Sequence, residues 1–452
     1  MKKKSLVKRM ASLFMAGVMT LGLAACGSTG SSSESSTGSE AAAETDAASE
    51  AQTENSQSAE GKTQISFWAP LSGADGDNMT ALVDQFNSES STTQVEFMIV
   101  KSSEYYTKFL AAMTTDSAPD VAICHISRVK EYMSDDLLEP LDELAATVNV
   151  DWSGFTESLQ QASLIDGTHY CMPMDTHLLL MHYDVDECSR LGVLAEDGTV
   201  QVPEGEEGFL QFFENIKANS TLIPIAGTST GSLPMYLWYT LLGQYGGDIC
   251  DAEGKTATLD SDANRSALEF MVKMVDEEIW PKNQKSGAEL FTGKMAAANI
   301  GGDWNIPVFE KNEDLNYVSM AFPQIGPNKA VYADSHTLVI PKSETMTDQE
   351  KASAIEFMKW LIDHNAEWAL PSGHIPSQTA VIESGEFLEL PNRANYAASA
   401  DYAKFFPQVS GTAGLIELAQ RELSAMIAGE QDVDITMEHM QKQFQEILDS
   451  YQ

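Results

Sequence analysis

The stretch Ala118–Arg128, APDVAICHISR, decides the fold prediction, because it contains a strand that ends in polar residues. Ala118-Pro119-Asp120 is a turn signal, and the apolar run Val121–Cys124 after it has the length and composition of a buried strand. His125 and Arg128 follow that run at once. Ligands of α/β sheets bind beyond the carboxyl ends of the strands, so His125 and Arg128 are candidate ligand contacts.

The chain upstream of this stretch alternates between strand and helix patterns. Strands and helices in alternation predict an α/β domain whose sheet is largely parallel. Trp68 then lies at the end of the first strand and is a candidate contact for the same reason. The predicted order is strand (Thr63–Trp68), Gly/Asp loop (Ser72–Asn78), helix (Met79–Phe86), strand (Val95–Val100) and helix (Tyr105–Met113).

A second α/β run begins near Pro173, and the body from Lys62 to Gln452 is too long for one hydrophobic core. We therefore expect two lobes. The further predicted strands are Leu178–Met181, Lys294–Ile300 and Thr337–Pro341. The further predicted helices are Phe209–Ala218, Leu233–Tyr245, Ser266–Glu278, Ala352–Ile362 and a tail over Leu415–Ile447 that is broken at Gly429.

The amino end has the pattern of an export signal. A basic start is followed by the apolar run Ala11–Ala25, which is short for a membrane span. The order Leu23-Ala24-Ala25-Cys26 resembles the bacterial lipoprotein box, which implies that Cys26 is lipidated and becomes the mature amino terminus. An ordinary cleavable signal is the alternative. We assign residues 1–25 to the signal peptide and residues 26–61, rich in Ser and Glu, to a lipidated and disordered tether.

The composition excludes some partners. The chain carries 27 Lys and Arg against 67 Asp and Glu, a net charge of −40, which argues against nucleic acid or an anionic membrane surface as a partner. The cysteines after Cys26 form no C-x-x-C pair, and we expect small buried residues more than disulfides. These are Cys124, Cys171, Cys188 and Cys250.

Several motifs together resemble the extracellular solute-binding proteins of family 1, the maltose-binding-protein-like receptors of ABC importers. The order and spacing of the motifs carry this resemblance over nearly all of Lys62–Gln452. The motifs are APDVAICHISRVKEYMSDDLLEPLDEL, YCMPMDTHLLLMHYDVDECSRLGV, FTGKMAAANIGGDW, SHTLVIPKS followed by AIEFMKWL, SGHIPSQTAV, and IAGEQDVDITMEHMQKQFQEIL.

The resemblance implies a periplasmic-binding-protein-like fold of type II, in which two α/β lobes are joined by a hinge that the chain crosses three times. The crossings would lie near Cys171–Asp175, Ala333–His336 and Ser372–Ser377. Lobe 1 would then comprise residues 62–172 and 335–372, and lobe 2 residues 173–334 and 377–452. A solute would bind in the cleft between the lobes.

Aromatic side chains in the cleft would stack on the apolar faces of a sugar. Trp304 follows Gly301-Gly302 at a predicted strand-to-helix turn, where the resemblance implies a stacking residue and where Asp303 could cap the helix. Trp68 is a second candidate. One of Tyr236 and Trp238 is expected in the cleft and the other in the core, because residues on a helix point about 100° apart.

Polar residues at the crossings would bind hydroxyl groups. Asp175 and His177 come just after the first predicted crossing, where the resemblance places hydrogen-bonding groups. His336 and His374 lie at the second and third crossings, with hinge packing as the alternative role.

These predictions describe a lipid-anchored receptor on the extracellular face of the cell membrane that captures a mono- or oligosaccharide and delivers it to ABC transporter permease subunits. We expect a monomer without a cofactor, attached to the membrane only through the lipid. The candidate positions offer Arg128 and histidines as their only basic groups, so a neutral sugar is preferred over glycerol phosphate, with polyols and other small solutes as alternatives.

Two other classes remain as alternatives. A carbohydrate-active enzyme is disfavoured because the chain lacks G-x-S-x-G, H-E-x-x-H and P-loop motifs, and paired carboxylates carry no signal in so acidic a chain. A metal receptor is suggested by His169, His177 and His182, which lie close in sequence. A strand–loop segment scatters such residues, and we therefore predict no metal site.

Overall fold

Two β-sheets organise the part of the chain that the structure describes. The structure is a computed structural model that describes residues 61–71, 73–115 and 117–452. Lys62–Gln452 form one compact unit. The predicted signal peptide, the lipidation of Cys26 and all but the last residue of the tether lie outside the described residues.

The strands are short except for one that runs through the middle of the second sheet. In chain order they are β1 (Thr63–Ala69), β2 (Thr93–Ile99), β3 (Val121–His125), β4 (Leu164–Ile165), β5 (Thr168–His169), β6 (Met172–Pro173), β7 (Asp175–Asp184), β8 (Ile223–Ala226), β9 (Ala296–Gly302), β10 (Tyr317–Ala321), β11 (Val331–Asp334), β12 (His336–Val339), β13 (Ile375–Pro376) and β14 (Ala403–Lys404).

The helices follow the strands closely along the chain. They are α1 (Gly73–Glu89), α2 (Ser102–Thr114), α3 (Ile126–Ser134), α4 (Asp142–Thr147), α5 (Glu157–Ser163), α6 (Val185–Leu191), α7 (Gly205–Asn219), α8 (Ser232–Gln244), α9 (Asp262–Asp276), α10 (Gly287–Thr292), α11 (Ile306–Glu310), α12 (Asp348–Asp363), α13 (Asn365–Ser372), α14 (Thr379–Glu383), α15 (Glu386–Glu389), α16 (Thr412–Ala428) and α17 (Val433–Asp449). Short 3₁₀ helices cover Trp152–Gly154, Asp303–Asn305, Arg393–Asn395 and Ala397–Tyr402. Among the described residues, no helix is both long enough and apolar enough to cross a membrane.

The first sheet has the strand order β2-β1-β3-β12-β6. β1 is parallel to both β2 and β3, as the alternation of strands and helices predicted. β12 returns from the distant part of the chain and runs antiparallel to β3 and β6. Apolar residues of β1 and β3 pack against α1 and α12 in one buried cluster, which includes Phe67, Phe86 and Phe357.

The second sheet is mixed and is built around β7. Its order is β14-β11-β7-β9-β8, and β10 and β13 also pair with β7. All ten residues of β7 are buried, and its neighbours β9, β10, β11 and β13 are antiparallel to it. This sheet therefore differs from the parallel arrangement of β1 to β3, although it is covered by helices in the same way.

The chain passes between the two sheets at three places within the described residues. Met174 separates β6 from β7, Ser335 separates β11 from β12, and Gly373-His374 connects α13 to β13. α13 packs against the first sheet's helices through Trp368, whereas β13 pairs with β7. These are the places where the family resemblance implied crossings. The predicted two-lobe fold is confirmed, and the exact lobe boundaries and the hinge motion stay predictions.

One local prediction was wrong. The segment predicted as a Gly/Asp loop, Ser72–Asn78, is mostly the first turns of α1, which begins at Gly73. Asp75 lies in the first turn, where a carboxylate interacts favourably with the helix dipole. Gly76 is buried, and a Cβ there would approach the end of the Ile99 side chain to 3.0 Å, so a larger residue would displace that side chain. Packing at the helix start explains a composition that otherwise indicates a loop.

The cysteines agree with the sequence analysis. All four in the described residues are buried and none forms a disulfide with another. Burial raises the pKa of the Cys171 thiol to about 12, so that it stays protonated at neutral pH.

Candidate functional site

Polar side chains from both sheets meet where the chain passes between them. His125 ends β3 and His336 begins β12, and the antiparallel register of these strands pairs the two residues directly. Asp175 and His177 are the first and third residues of β7, directly after the Met174 transition. Residues far apart in sequence therefore come together because strand ends from both sheets coincide here. We call His125, Asp175, His177 and His336 the histidine junction.

Asp175 is the fully buried centre of the junction. Its carboxylate accepts hydrogen bonds from Nδ1 of His336 at 2.8 Å and from Nδ1 of His177 at 3.1 Å. The His336 backbone N–H and the indole N–H of Trp368 also donate to it, at 3.0 and 2.8 Å. Burial alone would raise the pKa of Asp175, but neighbouring histidines and these hydrogen bonds outweigh it and hold the pKa well below its ordinary value.

The three imidazole rings of the junction pack against each other. The ring centroids are 5.3 Å apart for His125 and His177, 5.1 Å for His125 and His336, and 4.5 Å for His177 and His336. His125 also forms a hydrogen bond through Nδ1 with the Tyr106 hydroxyl. Burial, and then the two other histidines, hold the pKa of His125 well below its ordinary value, so this ring is neutral at neutral pH.

His374 connects the junction to two further carboxylates. Its Nδ1 lies 3.1 Å from the buried carboxylate of Asp303, and its Nε2 lies 3.5 Å from that of Asp75. Burial disfavours the charged ring, but Asp303 and two other carboxylates outweigh this and raise the pKa of His374 well above its ordinary value. Gly373 ends α13 with a left-handed φ of 84°, which turns the chain so that His374 enters this site. An imidazolium therefore links α1 to the residues that follow β9.

Aromatic rings lie beside the junction on the second sheet. The ring of Trp304 lies over Gly302, where a Cβ would overlap it, so the absence of a side chain at the last residue of β9 allows the indole to fold back on the strand. The Trp304 ring is 6.0 Å from His177 and 5.9 Å from Tyr236. Tyr236 stacks on Tyr332 with a centroid distance of 4.1 Å. Trp304 and Tyr236 are both partly exposed.

Hydrogen bonds also join elements of the first sheet to elements of the second. The Ser127 hydroxyl at the start of α3 donates to the Asp334 carboxylate at 2.7 Å. The Ala413 backbone N–H of α16 donates to the Glu131 carboxylate of α3 at 2.8 Å. Both contacts place α3 against the second sheet and its helices.

The structure brings together most of the residues that the sequence analysis singled out. His125, Asp175, His177, His336 and His374 meet at or beside the junction, and Trp304 with Tyr236 flanks it. Their roles as solute contacts stay predictions.

Arg128 lies on the His125 side of the site. Its guanidinium carbon is 4.0 Å from the centre of the Tyr106 ring. Trp68 is partly exposed and packs against the same apolar cluster as Tyr106. Neither Arg128 nor Trp68 belongs to the histidine junction.

Two predicted residues have other surroundings. Trp238 is fully buried and donates to the Asn264 side chain at 2.7 Å, so it is the core member of the pair and Tyr236 the exposed one. We expected Asp303 to cap the following helix, but it does not. Its carboxylate instead accepts from the Leu178 backbone N–H at 3.3 Å and contacts His374. Asp303 is buried beside the junction, and its partners there are a backbone N–H and an imidazole.

The sequence analysis did not identify several residues of the site. Tyr106 is on a predicted helix and Asp75 within the segment predicted as a loop, so neither had a functional signal. Trp368 lies in a helix that joins the two sheets, and its indole N–H binds Asp175. Each lacked a local signal because its role depends on a partner more than 18 residues away in sequence.

The three histidines that suggested a metal site from sequence proximity are dispersed. His169 stacks on Trp152 and binds Asp142. His182 is buried, with its two ring nitrogens bonded to Ser319 and to the Gly302 carbonyl. Only His177 of the three reaches the junction.

Comparisons with solved structures agree with this architecture. The GacH receptor of Streptomyces glaucescens, solved unliganded and with acarbose, is 19% identical, with a TM-score of 0.76 over 86% of this chain and 100% of its own. An ABC substrate-binding protein from Listeria monocytogenes, in complex with cycloalternan, is 17% identical, with a TM-score of 0.75 over 86% of this chain and 99% of its own. UgpB from Mycobacterium tuberculosis, in complex with glycerophosphocholine, is 18% identical and reaches a TM-score of 0.75 with the same coverage. Identities this low show a shared fold alone.

The sequence itself carries the family assignment. The model of the bacterial extracellular solute-binding protein family matches residues 81–395, which is more than half of the chain. The match spans β3, β7, β9, β11 and β12, the strands that form the site. The chain belongs to the bacterial extracellular solute-binding proteins.

Proposed function

We propose that the protein is a lipid-anchored receptor that captures a carbohydrate between its two sheets and delivers it to an ABC importer. The observation that carries this proposal is the partly exposed pair of rings, Trp304 and Tyr236, beside the polar histidine junction. Aromatic faces pack on the apolar faces of sugars, and imidazole and carboxylate groups bind their hydroxyls. Structures of the same fold that hold acarbose and cycloalternan support a sugar as the solute.

Closure around the solute supplies the signal to the importer. A solute that touches Trp304 on one side and His125 on the other binds more tightly when the two sheets are close together. Only such a difference in affinity between two conformations can shift their populations. The Ser127–Asp334 hydrogen bond is a direct contact of the kind that would form on closure. The closed form would then be recognised by the importer's permease subunits, and the receptor itself would catalyse nothing.

The charges around the site favour a neutral sugar. Asp175 and Asp303 are buried close to the rings, and an anionic solute would lie near both carboxylates. A phosphate-containing solute is the second candidate, because Arg128 supplies a positive charge beside Tyr106 and UgpB shares the fold with glycerophosphocholine bound. The position of Arg128 over Tyr106 places this charge on the His125 side of the junction.

The anchor rests on the amino-terminal sequence. The order Leu23–Cys26 is the basis for assigning a lipid to Cys26 and the protein to the extracellular face of the membrane. Labelling cells with a radioactive fatty acid should mark the wild-type protein and leave a Cys26→Ser variant unmarked. Equal labelling of both would remove the anchor from the proposal while leaving solute capture intact.

Solute capture can be tested by thermal shift and calorimetry. A panel of mono- and oligosaccharides, polyols, glycerophosphodiesters and peptides is screened first, since a ligand at 100 times its dissociation constant stabilises a fold by about 2.7 kcal/mol. For the best sugar, Trp304→Ala should weaken binding at least about 10-fold, or about 1.4 kcal/mol, because the stacking face is removed.

Trp152→Ala is the matched control, because Trp152 stacks on His169 and contacts no residue of the junction. Its affinity should equal that of the wild type. Unchanged binding in Trp304→Ala would remove the proposed cleft. New products after incubation with oligosaccharides would instead show an enzyme.

A further inference from the structure

Three imidazole rings of the junction each have one nitrogen that forms no hydrogen bond within the described residues. They belong to His125, His177 and His336. One nitrogen from each ring can be chosen so that all three lie within 4.8 Å of one another. Within the described part of the chain, each ring forms a hydrogen bond through Nδ1, and none does so through Nε2. The two buried rings retain slight exposure, 5% for His177 and 8% for His336, and His125 is more open. One nitrogen atom from each of the three rings thus lies in one small space.

The groups behind these rings fix their orientation. Asp175 accepts from Nδ1 of both His177 and His336, which leaves Nε2 of each as the nitrogen with a lone pair. Trp368 and a backbone N–H hold the Asp175 carboxylate in turn. Tyr106 holds Nδ1 of His125. Histidines that bind metals commonly donate their other N–H to a carboxylate, which fixes the tautomer and raises the basicity of the ligating nitrogen.

We propose that His125, His177 and His336 bind a divalent transition-metal ion, such as Zn²⁺, through their Nε2 atoms. Three imidazoles are a donor set that suits Zn²⁺, Ni²⁺ or Cu²⁺, and a tetrahedral ion would keep a fourth position for water or a solute oxygen. Metal–nitrogen distances of about 2.0–2.1 Å put nitrogens about 3.4 Å apart. Nitrogen atoms within 4.8 Å of one another would therefore have to approach by at most about 1.4 Å.

Charge favours a cation over an anion at this point. The buried carboxylate of Asp175 lies beside the three rings, and the Asp334 carboxylate and the Asp303 carboxylate, which is paired with His374, lie at the same transition between the sheets. The whole chain carries a net charge of −40, which concentrates cations near its surface. An anion would have to lie beside Asp175. Arg128 is the one feature that would favour an anion, and the experiment below includes that outcome.

A second possible set, Asp175, His336 and His374, is less suited to a metal. Its donor atoms also lie within 4.8 Å of one another. However, Asp175 and His336 are already bonded to each other, and His374 is fully buried between Asp303 and Asp75. A metal there would have to break three interactions, whereas the Nε2 atoms of the first set are free of hydrogen bonds within the described residues.

The ion would join the two sheets. His125 and His336 belong to β3 and β12 of the first sheet, and His177 belongs to β7 of the second. Coordination by all three requires the two sheets to be as close as they are here, so the metal would favour the closed form. This proposal does not depend on the identity of the solute, because the protein residues alone supply the ligands.

The probes are ZnCl₂ and CoCl₂ added to the metal-free full-length protein. Calorimetry should show one Zn²⁺ per chain, and Co²⁺ should give the intense visible absorption of a tetrahedral ion. His125→Ala and His177→Ala should each weaken the affinity at least 100-fold. His169→Ala is the matched control, because His169 also contacts an aspartate but lies outside the junction, and it should bind like the wild type.

Asp175→Asn tests the positioning role of the carboxylate. It should weaken Zn²⁺ binding by about 10- to 100-fold and shift the Co²⁺ absorption, which a merely structural change far from the ion would not do. The melting temperature of each metal-free variant shows that it folds, and His125→Ala is the safest of them because His125 is partly exposed. Absence of one-to-one binding, or equal binding by His177→Ala and the wild type, would overturn the proposal. Stabilisation by phosphate and not by Zn²⁺ would overturn it in favour of an anion site.

Discussion

The two halves of strand β7 differ in how completely their buried histidines are hydrogen-bonded. In the second half, His182 is buried and both ring nitrogens have partners, the Ser319 hydroxyl at 2.8 Å and the Gly302 carbonyl at 3.2 Å. In the first half, the His177 ring uses Nδ1 alone, on Asp175, and the rest of the ring faces His125 and His336. Two histidines five residues apart on one strand thus have different environments.

This difference in hydrogen bonding is the basis for predicting which half of β7 binds a solute. A buried polar group whose donors and acceptors are all satisfied contributes to one stable fold and has nothing left to offer a ligand. The first half of β7 instead places Asp175 and His177 at the transition between the two sheets, beside partly exposed aromatic rings. The second half of β7 therefore belongs to the core, and we predict that the first half binds the solute.

The largest expected effect is on stability, when the charge of Asp175 is removed from the first half of β7. Asp175→Asn leaves four donors facing a neutral amide, and we expect the free energy of unfolding to fall by about 3–5 kcal/mol, the usual cost of removing one partner from a buried charged network. Urea unfolding at neutral pH measures this.

Asp184→Asn, at the other end of the same strand, is the control. Asp184 caps α6 by accepting from the Glu187 backbone N–H, and asparagine caps helices equally well. Its effect should stay within about 0.5 kcal/mol. Equal losses in the two variants would contradict the distinction between the halves.

The second prediction concerns pH. Burial lowers the pKa of His182 to about 3, whereas in the unfolded chain it is about 6.5. The unfolded chain therefore binds the proton first, and stability is lost as the pH falls below 6.5, at about 1.4 kcal/mol per pH unit until the folded pKa is reached.

The comparison with His182→Asn isolates this contribution. Between pH 6.5 and 4.5 the wild type should lose about 2–3 kcal/mol more stability than the variant, because all other titrating groups are shared. Urea unfolding of both proteins at the two pH values gives the difference directly. Parallel pH profiles would show that His182 accepts a proton in the folded protein and is not sealed in the core.

The third prediction concerns the glycine that lies under the Trp304 ring. Gly302→Ala adds a Cβ that would overlap the indole, so the ring must move from its place beside His177. The affinity for the best sugar should fall at least about 10-fold, or about 1.4 kcal/mol, while the fold persists because the indole is partly exposed and can turn outward. Calorimetry checks this, and wild-type affinity in the variant would separate Trp304 from the solute.

The smallest effect is expected at a glycine remote from the site. Gly414 lies inside α16, and a Cβ there would meet Ile447 at an ordinary contact distance of 3.4 Å. Gly414→Ala should raise the free energy of unfolding by about 0.5–1 kcal/mol, since alanine is the better helix former, and should leave solute affinity unchanged. A loss of affinity in this variant would show that solute binding reports general changes in stability.

The sequence predicted those features that depend on local pattern. The strand Val121–Cys124 and the polar residues after it lie as expected, because the apolar run and its end are encoded within a few residues. The family motifs located the three transitions between the sheets. The Gly301-Gly302 pair correctly marked the turn that presents Trp304.

Features that depend on distant partners were missed or misjudged. The pairing of His336 with His125 follows from the antiparallel register of β12 and β3, which are more than 200 residues apart in sequence. Asp303 was expected to cap a helix, but the partners that it finds, His374 and Leu178, come from other parts of the chain. Proximity in sequence grouped His169 with His177, and the fold separates them.

The most direct test of the proposed site is a crystal structure of the protein with the sugar that gives the largest thermal shift. We expect the sugar between the two sheets, with a ring face on Trp304 and hydroxyls within hydrogen-bonding distance of His177 or His336. A sugar bound anywhere else, with Trp304 and the histidine junction untouched, would contradict the assignment of the first half of β7 to binding.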